Sequence, residues 1–72
     1  MDIEYDKDAD AVYIKFQKGT VAKTKKINST TLVDMDKNDE IVGLELLEAS
    51  ARLPQKSFLE VHVKNLQLMQ AK

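Results

Sequence analysis

The residues best placed to do chemistry here are carboxylates. From Asp34 the chain reads Asp-x-Asp-x-Asn (Asp34, Asp36, Asn38), with Ile41 in the eighth place and Glu45 in the twelfth, which matches the ligand positions of an EF-hand calcium loop. Such a loop turns on a glycine in its sixth place and sits between two helices. Here the sixth place is Asp39 and the flanking residues alternate as strands do, so the spacing reads as the acidic turn of a hairpin rather than a calcium site. Asp6, Asp8 and Asp10 form a second cluster, read as solvated turn carboxylates. His62 is the only histidine, so one chain cannot assemble a triad or a histidine-rich metal site, and no serine stands in a recognisable nucleophile context. Gly19 and Gly43 are the only glycines, too few for a phosphate-cradling loop. The pattern therefore assigns no catalytic residue, no metal ligand and no cofactor. The alternative is a small ligand-binding or enzymatic domain using Asp6, Asp10, Asp34 and Asp36, which requires those carboxylates to converge from two hairpin turns.

The elements that must position these groups are strands. Ile3-Glu4-Tyr5 and Ala11 to Gln17 alternate around the turn Asp6 to Asp10, with Val12, Ile14 and Phe16 on one face. Leu32-Val33 with Met35, and then Ile41 to Leu47, alternate around Asp36 to Glu40. An offset of thirty residues sets Ile3 on Val33, Tyr5 on Met35, Asp6 on Asp36, Val12 on Val42 and Ile14 on Leu44, so two hairpins of one design are expected. The second turn needs a residue with positive φ, for which Asn38 and Asp39 are the tolerant candidates. Between the hairpins, Val21 to Asn28 reads as a polar strand whose Lys23, Lys25 and Lys26 protect a sheet edge. Gly43 falls mid-strand, where a missing side chain marks a bulge or a close approach by another backbone. Pro54 stops a helix-tolerant turn at 48–52, and the alternation of Leu59, Val61 and Val63 favours a strand over a helix at 58–64. The expected fold is a mainly β single domain over 1–72, or α+β should its tail be helical: a small antiparallel β-meander of about five strands, with two matched hairpins and a C-terminal strand or short helix.

A chain of 72 residues buries only about 60% of the surface that its unfolded form exposes, so its own core is thin. No cysteine is present to staple it. The second sheet face carries Tyr13, Leu32, Ile41 and Leu47 beside Gly43, and these five residues form the candidate interaction face. Two apolar faces need two covers, one of them supplied by the C-terminal segment or by a second copy of the chain. Net charge is −1, which gives no long-range attraction to nucleic acid or to an anionic membrane. The acidic N-terminus is unlike a secretory signal, and no apolar run approaches the roughly 20 residues that span a bilayer, so a cytoplasmic location is expected.

The residues Tyr5, Asp6, Asp10, Tyr13 and Ile14, then Asp34 and Asp36, Val42 to Leu46 and Ala49-Ser50, resemble the pattern of the domain of unknown function 2283 family of small prokaryotic proteins. The likeness runs from residue 3 to about 53 and leaves the segment from 54 as an extension. Family members commonly carry glycine where this chain has Asp39. The resemblance implies a small β-rich domain with no established activity or catalytic residue. It also implies a binding role, since some relatives look like partners of small toxin-like proteins. The function expected is a non-enzymatic, homodimeric protein-interaction module, in one form the neutralising partner of a toxin-like protein, with no membrane or nucleic-acid partner.

Overall fold

The structure, a computed structural model, describes residues 1–58 and 60–65. Strands β1 (Asp2–Asp6), β2 (Ala11–Lys15), β3 (Lys23–Asn28), β4 (Thr31–Met35) and β5 (Ile41–Leu46) form one open antiparallel sheet, followed by a single helical turn α1 (Ala49–Arg52) and a 3₁₀ turn at Gln55–Phe58. The five-stranded, mainly β architecture is the expected one. Its strand order is β1-β2-β5-β4-β3, whereas a strict meander would place β3 beside β2. Side-chain chemistry explains the difference. β2 and β5 carry the apolar runs and take the centre, while the charged sequences of β1 and β3, exposed at every position, take the edges.

The matched hairpins share one register. Ile3 lies opposite Ile14 in β1–β2 as Val33 lies opposite Leu44 in β4–β5, and the same shift of thirty carries Glu4↔Tyr13 onto Asp34↔Gly43. Across the central pair Ile14 faces Leu44, its own counterpart. A local pseudo-two-fold axis therefore passes between these two residues and relates β1–β2 to β5–β4. The segments leaving the two hairpins follow the same relation. Residues 16–22 cross the start of β5: the Phe16 amide donates to the Val42 carbonyl at 2.8 Å, and Gly19 lies close enough to Val42 that a Cβ on it would be 3.1 Å from Cγ2. Thirty residues on from Gly19, Ala49 is buried outright and donates its amide to the Asp10 carbonyl at 2.9 Å, two residues before Val12. Val12 and Val42 are accordingly the most buried large side chains.

The core ends there. Among the described residues the buried apolar set is Ala11, Val12, Val42 and Ala49, with nothing larger than valine. The radius of gyration is 13.9 Å, against roughly 11 Å for a compact chain of this length.

An Asx residue opens each tight connection. Asp6 Oδ1 accepts the amides of Asp8 and Ala9 (3.0 and 3.1 Å), Asn28 Oδ1 the amide of Thr30 (2.9 Å), and Asp36 Oδ1 the amides of Asn38 and Glu40 (2.8 and 2.9 Å). The positive φ expected in the second turn falls on Asp39 (φ 64°). Its exposed carboxylate pairs with Lys23, a contact worth about 0–1 kcal/mol. A left-handed backbone costs an L-residue about 1–2 kcal/mol, somewhat less for aspartate. Asp39→Gly is therefore expected to stabilise the chain by about 0.5 kcal/mol, a rise in Tm of about 2–4 °C by calorimetry. A fall in Tm would mean that the lost ion pair outweighs the relieved backbone.

The strand expected at 58–64 does not form among the described residues. Gln55–Phe58 is a 3₁₀ turn closed by the Ser57 amide on the Pro54 carbonyl at 2.9 Å, and residues 60–64 join no ladder. Val61 and Val63 are 62% and 71% exposed. Alternation makes a strand only where a neighbouring strand accepts its hydrogen bonds, and among the described residues none lies beside this segment. Leu59 and residues 66–72 lie outside the described residues.

Candidate functional site

Register divides the sheet into two unlike faces. On one, Ile3, Ile14, Leu44 and Val33 form a continuous apolar row that ends at Lys25, and Tyr5, Val12, Leu46 and Thr31 form the next. On the other, Glu4, Tyr13, Glu45, Leu32 and Lys26 form one row, and Asp2, Lys15, Gly43, Asp34 and Thr24 the next.

A polar link spans this second face. The Tyr13 hydroxyl donates to Asp34 Oδ2 at 3.0 Å, and the Thr24 hydroxyl donates to Asp34 Oδ1, so one carboxylate on β4 ties β2 to β3. Tyr13 and Asp34 belong to different rows, and the ring reaches Asp34 by lying diagonally over Gly43. A Cβ on Gly43 would overlap the Tyr13 hydroxyl and stand 2.5 Å from Cζ. The close approach anticipated at this glycine is thus made by a side chain of the same molecule.

A second link closes the opposite end of the molecule. Asp10, at φ 49°, accepts the Tyr5 hydroxyl at 2.8 Å on Oδ1, together with the Ser50 amide at 3.1 Å, and the Ser50 hydroxyl at 2.7 Å on Oδ2. Arg52 adds bonds from Nη1 to the Thr30 carbonyl at 2.8 Å and from Nη2 to the Thr31 hydroxyl at 3.3 Å. Together these fix α1 to the end of the sheet.

The links set the proton equilibria. Hydrogen bonds from Ser50 and then Tyr5 hold the Asp10 carboxyl below its ordinary 3.8. Burial raises the Tyr13 phenol above 10.0, helped by its bond to Asp34 and the charges of Asp34 and Glu45, and the bond to Asp10 raises Tyr5. A depressed carboxyl stabilises the fold above the unfolded pKa, and that contribution is lost as pH falls through the lower folded value. A raised phenol stabilises it below 10.0, and that contribution is lost as pH rises through the higher folded value. In a spectrophotometric titration, both tyrosines of the folded chain should ionise at higher pH than in the urea-unfolded chain. A folded Tyr13→Phe variant whose remaining tyrosine titrates as in urea would rule out the Tyr5–Asp10 link.

The two hairpin turns lie at opposite ends of the sheet, because β2 and β5 are antiparallel and Val12 faces Leu46 while Lys15 faces Gly43. The carboxylates proposed to converge therefore do not meet. Asp6 and Asp36 serve their own turns, Asp10 holds α1, and Asp34 holds Tyr13 and Thr24. The residues with calcium-loop spacing are likewise spread along a hairpin, and no group of three potential metal ligands occurs among the described residues. Within the candidate interaction face, Ile41 is 48% exposed, Tyr13, Leu32 and Leu47 are partly exposed, and Gly43 is buried. A register shift between Asp34 and Met35 places Ile41 opposite Met35.

Sequence reasoning did not identify Asp34 as the acceptor of Tyr13, or Ser50 as the donor to Asp10. The available signal for the first was a carboxylate at a strand position between Val33 and Met35, in register with a glycine. Among the described residues no helix is long and apolar enough to cross a membrane. No curated protein and no solved structure matches the chain. A family profile described as a protein of unknown function, DUF2283, matches residues 2–50, a span that includes both hairpins, both polar links and the start of α1. The chain belongs to the DUF2283 family.

Proposed function

We propose that this chain is a non-enzymatic, cytoplasmic protein-interaction module that completes its core by pairing the apolar face of its sheet with a second copy. The observation that carries this reading is the size of the core: among the described residues four small side chains are buried, while Ile14, Val33, Leu44 and Leu46 keep solvent exposure on a five-stranded sheet. The apolar rows support a self-contact because they are uncharged from Ile3 to Val33, so two copies meet without like-charge repulsion. Five strands about 4.8 Å apart and about 17 Å long present a face of roughly 20 × 17 Å. Two such faces bury on the order of 700 Å², below the roughly 1,200 Å² of standard interfaces, so the association expected is weak and exchangeable. A small toxin-like protein, the partner class implied by the resemblance, would compete for the same face.

Sedimentation equilibrium and thermal denaturation across micromolar concentrations test the reading. The expected result is a monomer–dimer equilibrium with a Tm that rises with concentration. A monomer throughout, with a concentration-independent Tm, would refute it.

A further inference from the structure

Among the described residues, one place in the sheet that the pseudo-two-fold axis predicts holds no strand. β4 is covered along its outer edge by β3, with Lys25 opposite Val33 and Thr24 opposite Asp34. β1 is the counterpart of β4, Ile3 standing for Val33 and Glu4 for Asp34, yet among the described residues it pairs only with β2 and is exposed at all five positions. The two edges also carry opposite charge. β3 presents Lys23, Lys25 and Lys26, the usual defence against pairing with other chains, whereas β1 presents Asp2, Glu4 and Asp6 and has neither lysine nor proline.

We propose that the open edge of β1 binds an extended, lysine- or arginine-rich segment of a different protein as a sixth strand, in the place that β3 occupies on β4. Backbone hydrogen bonds along the edge supply the pairing, and the summed negative charge of Asp2, Glu4 and Asp6 favours an incoming strand rich in basic residues. The register of β3 on β4, transferred by the pseudo-symmetry, sets a threonine or other hydroxyl opposite Glu4 and basic residues opposite Asp2, Ile3 and Tyr5. A second copy of this chain is the poorer occupant. Joining its β3 to β1 is a head-to-tail contact that would build rings or open filaments and not a closed pair, and it is distinct from the face-to-face contact above.

The test uses the full isotope-labelled chain and a synthetic peptide with the sequence of residues 21–30, VAKTKKINST, as a stand-in for the basic strand. The expected result is a set of amide shift changes centred on Asp2–Asp6, with an affinity that falls as salt is added and about 10-fold in Glu4→Lys. A peptide in which the three lysines are replaced by glutamate should not bind. An Asp2→Lys variant, checked for fold by circular dichroism, guards against misreading an unfolded Glu4→Lys. No shift changes at millimolar peptide, shift changes confined to the sheet faces, or equal binding of the glutamate peptide would each overturn the proposal. So would self-association of the chain that is abolished by Lys25→Glu and Lys26→Glu, since β3 of a second copy would then be the occupant.

Discussion

Replacing Gly43 with valine is expected to be the most damaging single change on the sheet. The position has no space for a side chain: a Cβ there overlaps the Tyr13 hydroxyl, stands 2.5 Å from its Cζ and comes within 3.0 Å of the Ile14 carbonyl oxygen. The ring must swing away, which breaks the bond to Asp34 (about 1 kcal/mol) and adds overpacking of about 1–3 kcal/mol. Against a total of about 4–11 kcal/mol for 72 residues, the loss lowers Tm by about 10–20 °C or unfolds the chain. Gly43→Ala gives a measurable intermediate, expected to cost about 2 kcal/mol. A double-mutant cycle isolates the cause. In a Tyr13→Ala background the obstruction is gone, and Gly43→Ala should cost about 0–0.5 kcal/mol, with only the Ile14 carbonyl still close. An equal cost in both backgrounds would show that the glycine is needed for its backbone and not for the ring above it.

How far the fold was legible in the sequence depended on whether its cause was local. Alternation around Asp6 to Asp10 and Asp36 to Glu40 marked both hairpins, because period-two patterning and Asx turns are written within a few residues. The thirty-residue offset carried further, since Ile3↔Ile14 and Val33↔Leu44 do share one register. The position of β3 was not legible. Whether a strand lies beside β2 or at the far edge is decided by which strands can bury both neighbours, a competition among all five. The partners of Tyr13 and Asp10 were hidden for a related reason: Asp34 and Ser50 stand 21 and 40 residues away in the chain, and only the assembled sheet brings them close. Gly43 was read as a bulge or a close approach by another backbone, and the approach is made instead by the ring of Tyr13. The alternation at 58–64 misled because a pattern records what a segment could bury and not whether a neighbour exists. The same limit applies to the faces. Tyr13, Leu32, Ile41, Gly43 and Leu47 share their surface with Lys15, Glu45 and Asp34, while the continuous apolar rows lie on the other side.

That contrast between the faces yields the second large effect. Ile3→Lys combined with Phe16→Lys is expected to leave the monomer folded and to abolish its association. Both side chains are 39% exposed, Ile3 at the end of the apolar row and Phe16 one residue beyond β2 in the same alternation. A lysine at either place can carry its amine to water in the monomer, so the cost to folding is about 1 kcal/mol or less each. In a face-to-face dimer the same amines must be desolvated against uncharged side chains, and roughly 100-fold in dimer affinity per substitution is the expected loss, about 2.7 kcal/mol each. Circular dichroism should show an unchanged sheet, while sedimentation equilibrium should show a monomer at concentrations where the parent chain dimerises. Leu32→Lys on the opposite face is the necessary counterpart. It lies in a row with Glu45 and Lys26, where one more charge finds both water and a partner, and it should leave the dimer intact. If Leu32→Lys instead dissociates the dimer and the Ile3 and Phe16 changes do not, the contact runs through Tyr13, Leu32, Ile41 and Leu47, and the apolar rows are covered in some other way.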